Sequence, residues 1–314
     1  MRIALIGYGE VGRILAEDLR AAGHVVTACD LKLGSEAGHL LREHASRHGI
    51  ALALTHGHAV SDAELVVSAV TADQTVAAAQ ASAPGLLSGV WFLDFNSASP
   101  GAKIRAAGIV NAAGGRYVEG AVMTSLPPHR IKVPLLLGGP DAAALHPVLI
   151  ELGFVPKVAS AKFGVASATK MCRSVMIKGL EAMVIESLTA ARHYGVEDAV
   201  VASLYETFPG IDWEKQAAYF FQRVIEHGRR RSEEVREVAQ TVREAGLAPH
   251  SAAGTAERQA WMADLADAGV FGVRGVRGIR GIRGACSARS AKEFACSADW
   301  RVESDRILQH LRNR

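Results

Sequence analysis

The chain has 314 residues, of which 49% are hydrophobic and 21% are charged. This composition suits one large or two medium globular domains and excludes a chain that is disordered throughout. No apolar run is long enough to span a bilayer, and the N-terminus lacks the features of a cleavable signal, so we expect a soluble cytoplasmic protein. The net charge of +3 arises at one end. Residues 272–314 hold ten Lys/Arg and four Asp/Glu, whereas the rest of the chain holds 25 Lys/Arg and 28 Asp/Glu.

The first thirty residues read as strand, glycine-rich turn, helix and strand. An apolar run, Arg2–Ile6, leads into Gly7-Tyr8-Gly9-Glu10-Val11-Gly12. In this fingerprint the first glycine permits a tight turn, the second lets the backbone approach a pyrophosphate, and the third allows close packing of the following helix. Free amides at the first turn of that helix face the phosphates. The segment therefore predicts a site for a nicotinamide dinucleotide.

The second strand, Val25–Cys29, ends at an acidic residue, Asp30. A carboxylate at this position accepts hydrogen bonds from the ribose hydroxyls and repels a 2′-phosphate, which favours NAD over NADP. Two alternatives stay open at this stage. Asp30 can simply turn the chain, and Lys32 can attract a phosphate.

Apolar strands continue to alternate with helical stretches up to about residue 160. This alternation predicts an α/β Rossmann domain, residues 1–160, with a mostly parallel, doubly wound sheet. Thr71 and Asn96 each follow the carboxyl end of a strand, where such sheets form their ligand crevice, so both are predicted to contact the cofactor. The further strands are predicted at Ile50–Leu54, Leu65–Val70, Val90–Phe95, Tyr117–Met123, Lys132–Leu137 and Phe154–Val158.

Residues 161–271 have a helical pattern and are predicted to form an all-α second domain for substrate binding and dimerisation. The first helix is expected to extend from about Ala166 to Tyr194, with an apolar stripe that suggests a homodimer. Further helices are predicted at Glu197–Thr207, Asp212–Glu226, Ser232–Ala245 and Gly254–Ala268.

The last segment, residues 272–314, is predicted to be a basic low-complexity tail; the alternative is that Asp299–Leu311, which has some helical character, docks on the partner subunit of a dimer. The segment begins with a three-residue repeat, Gly-Val/Ile-Arg, that lacks the proline a collagen helix needs. Its arginines suit an anionic surface or nucleic acid, but a solvated linker is the simpler interpretation, so we do not expect a nucleic-acid partner. The four cysteines have no metal-ligand spacing and are expected to be free thiols, so no metal site is predicted.

Lys170 is the first candidate for acid–base chemistry. It lies near the start of the long predicted helix, and Ser174 follows four residues later on the same face. The positive end of the helix dipole and burial in a cleft are both expected to lower the pKa of Lys170 towards the range of a working acid or base. An ordinary surface lysine is the alternative.

These residues carry a resemblance to a known family. The chain resembles the β-hydroxyacid dehydrogenase superfamily, which contains 3-hydroxyisobutyrate and 6-phosphogluconate dehydrogenases. The matching segments, in chain order, are Gly7–Gly12, Asp94–Ser97, Val118–Met123, Leu137–Pro140 and Gly164–Lys170. The helical remainder, including His227–Arg231 and Ala256–Gln259, is similar to a branch with a phosphogluconate dehydrogenase-like C-terminal domain.

The resemblance implies that Lys170 is the general acid/base and that the protein is a dimer. The sequence nevertheless departs from the family pattern at several positions. The asparagine that follows the family's lysine by one turn is replaced by Ser174. The substrate strand, which usually ends in a serine and glycines, ends here in Met123-Thr124-Ser125, which are predicted to contact substrate. The Lys-Asp pair that the family usually has later in the chain is not evident. Arg230 or Arg231 is the candidate for its positive charge, and a solvated helix face is the alternative for these arginines.

Three functions are therefore open. The first is an NAD(P)-dependent oxidoreductase that acts on the CH–OH group of a small β-hydroxy acid, or on its carbonyl form, with Lys170 as general acid/base. The second is an imine reductase on the same scaffold, which the more apolar Met123 favours. The third is a dinucleotide-binding regulatory protein without turnover, suggested by Ser174 and the basic tail.

Overall fold

The computed structural model describes residues 1–272 and 299–313. The chain divides into two compact units, Met1–Cys172 and Arg173–Arg314. The division lies inside one long helix, twelve residues beyond residue 160, where the sequence analysis expected the first domain to end. Among the described residues, no helix is both long and apolar enough to cross a membrane.

The first unit is a Rossmann domain built on an eight-stranded sheet. Its strand order is β3-β2-β1-β4-β5-β6-β7-β8, and every pair is parallel except β6 and β7. The predicted mostly parallel, doubly wound fold is confirmed. The strands are β1 (Arg2–Ile6), β2 (Val25–Cys29), β3 (Ala51–Leu52), β4 (Leu65–Ser68), β5 (Trp91–Asp94), β6 (Arg116–Val122), β7 (Pro134–Gly138) and β8 (Val155–Ser160).

Helices cover both faces of this sheet. Successive residues of β1 point to opposite faces: Ile3 and Leu5 join one apolar core, and Ala4 and Ile6 join the other. A strand that is buried on both faces reads as a continuous apolar run, which is why β1 was recognisable in the sequence. The helices are α1 (Glu10–Ala21), α2 (His39–His48), α3 (His56–Val60), α4 (Thr75–Ser82), α5 (Pro100–Ala112), α6 (Ala142–Glu151) and the start of α7 (Val165–Tyr194).

The described part of the second unit is helical. It contains the rest of α7 together with α8 (Glu197–Thr207), α9 (Trp213–Glu244), α10 (His250–Asp267) and α11 (Trp300–Arg312). Its apolar core is formed by residues of all five helices, among them Ile185, Val201, Phe221, Met262 and Ile307.

Helix α9 is continuous where the sequence predicted two helices, at Asp212–Glu226 and Ser232–Ala245. The predicted break was wrong because Gly228 and Arg231 have a packing role. A Cβ at Gly228 would lie 2.8 Å from the carbonyl oxygen of Gln259, so the glycine permits close approach of α9 and α10. Arg231 is buried inside the unit and does not face solvent.

The C-terminal residues 299–313 also differ from the expected tail. They contain α11, and the side chains of Trp300 and Ile307 are buried in the core of the helical unit. The indole Nε1 of Trp300 donates a hydrogen bond to Glu214 at 2.8 Å. Trp300, Ser304 and Ile307 follow helical spacing, in line with the helical character of residues 299–311 in the sequence, but they are buried within this unit. The glycine-arginine repeat lies outside the described residues, apart from Gly272.

Candidate active site

The fingerprint glycines have three different environments at the carboxyl end of β1. Gly7 has φ +95°, and a Cβ there would overlap the carbonyl oxygen of Ala69. A Cβ at Gly12 would overlap the carbonyl oxygen of Gly7, so α1 packs directly on the turn. A Cβ at Gly9, in contrast, would meet nothing within 4 Å. The backbone at Gly9 is therefore open to a ligand, and Gly9, the N-cap residue of α1, has no side chain with which to cap the first turn.

Asp30 follows β2 and fixes the glycine turn. One carboxylate oxygen accepts a hydrogen bond from the backbone amide of Tyr8 at 2.8 Å, and the other accepts from the amide of Lys32 at 2.9 Å. Each oxygen has a second lone pair that can accept from a ribose hydroxyl. Asp30 thus has a structural role in addition to the cofactor contact predicted for it.

Asn96 connects the carboxyl ends of β4 and β5. Its side-chain oxygen accepts from the amide of Val70 at 2.8 Å, and its Nδ2 donates to Ser68 at 3.0 Å. The side chain is 3% exposed. Thr71, one residue beyond Val70, is exposed and its hydroxyl donates to Asp73 at 2.6 Å. The two residues predicted to contact cofactor lie on neighbouring strands, beside the point where the strand order reverses between β1 and β4.

A buried ion pair supports this edge of the sheet. Lys103 of α5 donates from Nζ to the Oδ1 of Asp94 at 2.7 Å and to the backbone carbonyl of Asp94 at 2.9 Å. Tyr117 donates to the other carboxylate oxygen at 2.6 Å, and burial together with the charge of Asp94 holds the pKa of Tyr117 well above its usual range. Asp94 in turn accepts from the amide of Asn96 at 2.8 Å. The polar network therefore fixes the loop that carries Asn96 and Ser97.

The end of β6 brings the predicted substrate residues to the same edge. Met123 directly follows β6 and is half-buried, and its amide donates to the carbonyl of Pro134 at 3.0 Å. Thr124 and Ser125 are exposed. Because β6 is parallel to β5, these three residues lie at the edge that also carries the glycine turn.

Glu119 of β6 anchors the helix that carries Lys170. The carboxylate is fully buried and accepts hydrogen bonds from the amides of Gly164, at 2.5 Å, and Ser167. Both amides belong to the first turn of α7 or directly precede it, where the helix has no backbone acceptors of its own. The negative charge also complements the positive end of the helix dipole. Glu119 therefore fixes where α7 begins.

Lys170 lies between this anchored first turn and the middle of α7. Its Nζ donates a hydrogen bond to the hydroxyl of Ser97 at 2.5 Å, and both side chains are partly exposed. The amine is thereby held at the carboxyl end of β5, in the same unit as the glycine turn.

The other predicted site residues belong to the helical unit. Ser174 follows Lys170 by one turn of α7 and is 9% exposed. Arg230 is exposed on α9 and forms an ion pair with Glu234. Its neighbour Arg231 is buried and is paired with Glu181, and burial lowers the pKa of Arg231. Of the two arginines considered as replacements for the family's later lysine, only Arg230 presents its charge to solvent.

Sequence reasoning missed the roles of three residues. Ser97 and Glu119 were part of the quoted motifs but were assigned no function, and Lys103 was not noticed. The available signal was polarity: Glu119 is an acidic residue inside an otherwise apolar strand, and a buried acid needs a partner. The identity of that partner, two backbone amides 45 and 48 residues later, depends on tertiary structure.

The residues present fit a dinucleotide. Gly9 leaves the backbone open where a pyrophosphate would lie, the first turn of α1 has uncapped amides, and Asp30 occupies the ribose position at the end of β2. Among the described residues these features lie at one edge of the sheet, together with Lys170 and Ser97.

Comparison with known proteins agrees with this geometry. Residues 2–147 match the model of the NAD binding domain of 6-phosphogluconate dehydrogenase. Residues 191–262 match a domain of unknown function. A conserved hypothetical protein from Sinorhizobium meliloti is 37% identical in sequence, with a TM-score of 0.69 over 83% of this chain and 87% of its own.

Two more distant structures share the fold. A 3-hydroxyisobutyrate dehydrogenase from Mycobacterium tuberculosis has a TM-score of 0.65 at 16% identity, over 84% of this chain and 94% of its own. An imine reductase from Streptomyces aurantiacus has a TM-score of 0.53 at 20% identity, over 86% and 95%. At these identities the likeness concerns the fold.

Proposed function

Because the chain belongs to the β-hydroxyacid dehydrogenase superfamily, we propose that it oxidises a small β-hydroxy acid, or reduces the corresponding carbonyl compound, with Lys170 as general acid/base. The scaffold is that of NAD(P)-dependent oxidoreductases, and the cofactor is a nicotinamide dinucleotide. The substrate class and the role of Lys170 are the parts that we propose.

The observation that carries the proposal is the contact between the Nζ of Lys170 and the hydroxyl of Ser97 at 2.5 Å. It holds an amine at the sheet edge that also carries the glycine turn and Asp30. The hydrogen bond to Ser97 gives this amine a defined position at the edge. Such a group can exchange protons with a substrate hydroxyl.

The proposed chemistry assigns one task to each residue. A bound nicotinamide supplies or accepts the hydride. Lys170 takes the proton from the substrate hydroxyl during oxidation and returns it during reduction. Ser97 orients the amine, and Glu119 fixes the helix on which the amine is carried. Ser174, one turn after Lys170, donates a hydrogen bond to a substrate oxygen in place of the family's asparagine.

For the cofactor we propose a preference for NAD. Asp30 is already fixed by the amides of Tyr8 and Lys32, so its carboxylate has a defined position. A negative charge there repels the 2′-phosphate of NADP. We also expect a homodimer, because Met176 and Met183 of α7 are 72% and 61% exposed in the single chain.

An imine reductase is the second candidate. Met123 stands where the family's substrate strand usually has a serine, and a half-buried thioether makes that position more apolar. A pocket of this kind would suit an imine better than a carboxylate. Thr124, Ser125 and Arg230 are the residues whose polarity favours the hydroxy acid instead.

A paired cofactor assay separates these functions. A panel of β-hydroxy acids is offered with NAD and NADP, a panel of cyclic imines is offered with NADH and NADPH, and nicotinamide absorbance is followed. Our proposal expects turnover with at least one hydroxy acid and a higher kcat/KM with NAD. Turnover with imines alone would favour the second candidate. Tight cofactor binding without turnover in either panel would favour a regulatory protein.

A further inference from the structure

Three potential metal ligands meet between α1 and α2, away from Lys170. Glu17 comes from α1, and His44 and His48 are one turn apart on α2. One ligand atom from each of the three side chains lies within 4.8 Å of the other two. The imidazole rings of the two histidines stack, with centroids 4.5 Å apart and an angle of 28° between the planes. Two histidines four residues apart on one helix can chelate the same ion.

The ring of His44 is oriented as in a metal site. Its Nδ1 forms a hydrogen bond with the hydroxyl of Tyr8 at 2.8 Å, so its Nε2 is directed at Glu17 Oε1, also at 2.8 Å. Metal-bound histidines almost always use the second ring nitrogen for a hydrogen bond to an oxygen, which fixes the tautomer and the ring orientation. Because a phenol can donate or accept, Tyr8 can satisfy either tautomer of His44.

One carboxylate oxygen of Glu17 faces the two histidines, and the other is held by an arginine. Arg130 contacts the other oxygen, Oε2, at 2.8 Å and also pairs with Asp18. Oε1 is therefore the oxygen that faces the histidines.

We propose that Glu17, His44 and His48 bind a divalent transition cation of the zinc class. Two imidazoles and one carboxylate bind such cations more tightly than they bind Mg²⁺ or Ca²⁺. A solvent molecule completes the coordination. His44 is 5% exposed, whereas His48 is only partly buried, so the cation enters from the side of His48. The inference goes beyond the proposed function and does not depend on it.

The cation would replace the direct contact between His44 and Glu17. In the neutral ring the proton on Nε2 is exchanged through solvent for one on Nδ1, which is then donated to the hydroxyl oxygen of Tyr8, and the three ligand atoms draw together around the ion. Because Arg130 shares the carboxylate and Arg13 lies near His44, we expect moderate affinity. No metal site was predicted from the sequence because the cysteines lack metal-ligand spacing, whereas the pattern that points to this site is His-x-x-x-His in α2.

The test is metal binding to the full-length, tag-free protein after treatment with a chelator. Co²⁺ is titrated and followed by visible absorption, and Zn²⁺ by calorimetry. We expect one cation per chain. His48→Ala should weaken binding at least ~10-fold through loss of a ligand, whereas His39→Ala, an exposed histidine at the start of the same helix, should bind as the wild type does.

Tyr8→Phe adds an independent readout, because it removes only the hydroxyl that orients His44. It should lower the affinity by about 10–100-fold while leaving all three ligands in place. Circular dichroism and thermal unfolding of each variant show whether it is folded. Absence of stoichiometric binding to the wild type, or equal binding by His48→Ala and His39→Ala, would overturn the proposal.

Discussion

The two units of the molecule use their buried polar groups differently. In the Rossmann unit, beside the buried ion pair of Lys103 and Asp94, several polar side chains bind backbone amides: Asp30 binds the amide of Tyr8, Asn96 that of Val70, and Glu119 those of Gly164 and Ser167. In the helical unit, buried charges are paired with other side chains, as in Glu181 with Arg231 and Lys178 with Glu234.

Because of this difference, we expect substitutions in the two units to have different effects. A polar side chain that accepts from backbone amides determines the shape of a loop, so its loss changes a binding site. A buried ion pair between helices determines their packing, and the loss of one partner leaves an uncompensated charge. Substitutions in the Rossmann unit should therefore alter ligand binding first, and substitutions in the helical unit should alter the free energy of unfolding first.

The largest expected effect is complete loss of cofactor binding in Gly9→Val. A Cβ at Gly9 meets nothing within 4 Å, so the domain should fold, but the branched side chain would occupy the space of the pyrophosphate. The measurement is thermal stabilisation by NAD. Gly7→Ala is the matched control: its Cβ overlaps the carbonyl of Ala69 at a φ of +95°, so this variant should instead unfold at lower temperature. Retained stabilisation in Gly9→Val would mean that the phosphate site lies elsewhere.

Trp300→Ala tests whether α11 belongs to the helical unit. The side chain is 1% exposed, packs near Phe221 and donates to Glu214, so its removal should cost about 3–5 kcal/mol of the free energy of unfolding. Leu311→Ala, at a position that is 45% exposed on the same helix, should cost far less. Urea unfolding of both variants gives the comparison. Equal, small effects would restore the view of residues 272–314 as a dispensable tail.

Arg231→Met tests the buried ion pair. Among the described residues, Glu181 would keep its weaker contacts with Arg223 and Gln259, at 3.5 and 3.4 Å, and we expect a loss of about 3 kcal/mol in the free energy of unfolding. Arg230→Met, at the exposed neighbouring position, should cost less than ~1 kcal/mol. Replacing Glu181 and Arg231 together by methionine should recover much of the loss. If the double variant is as unstable as the single one, the pair contributes by packing and not by charge.

A smaller effect is expected for Asp30→Ser. Removal of the carboxylate ends the repulsion of a 2′-phosphate, so the ratio of kcat/KM for NADP to that for NAD should rise about tenfold, equivalent to about 1.4 kcal/mol. Because the amide of Tyr8 also loses its acceptor, affinity for both cofactors should fall. An unchanged ratio would show that a residue other than Asp30 reads the ribose.

The sequence predicted best what local rules determine. The glycine turn and Asp30 follow from spacing within the first thirty residues. Strands that are buried on both faces appear as continuous apolar runs, and α8 was predicted with the bounds that the structure has. The long helix α7 was placed within one residue at its start because few helix breakers interrupt it. These elements need no information about distant parts of the chain.

What the sequence could not predict depends on distant contacts. Continuity of α9 requires knowing that Gly228 approaches α10, and burial of α11 requires knowing the core that Trp300 enters. The roles of Glu119 and Ser97 depend on partners 45 and 73 residues away. Local patterns were therefore enough to propose the cofactor residues, whereas the residues that position Lys170 emerged only from tertiary structure.

The most direct test of the central claim is the kinetics of Lys170→Ala with the substrate and cofactor identified in the paired assay. Loss of a general acid/base should lower kcat by about 10²–10⁴-fold, and the affinity for the cofactor should stay near that of the wild type because the glycine turn is intact. Lys170→Arg should fail similarly, since a guanidinium does not deprotonate near neutrality. Turnover near the wild-type rate in Lys170→Ala would contradict the account and remove this lysine from the mechanism.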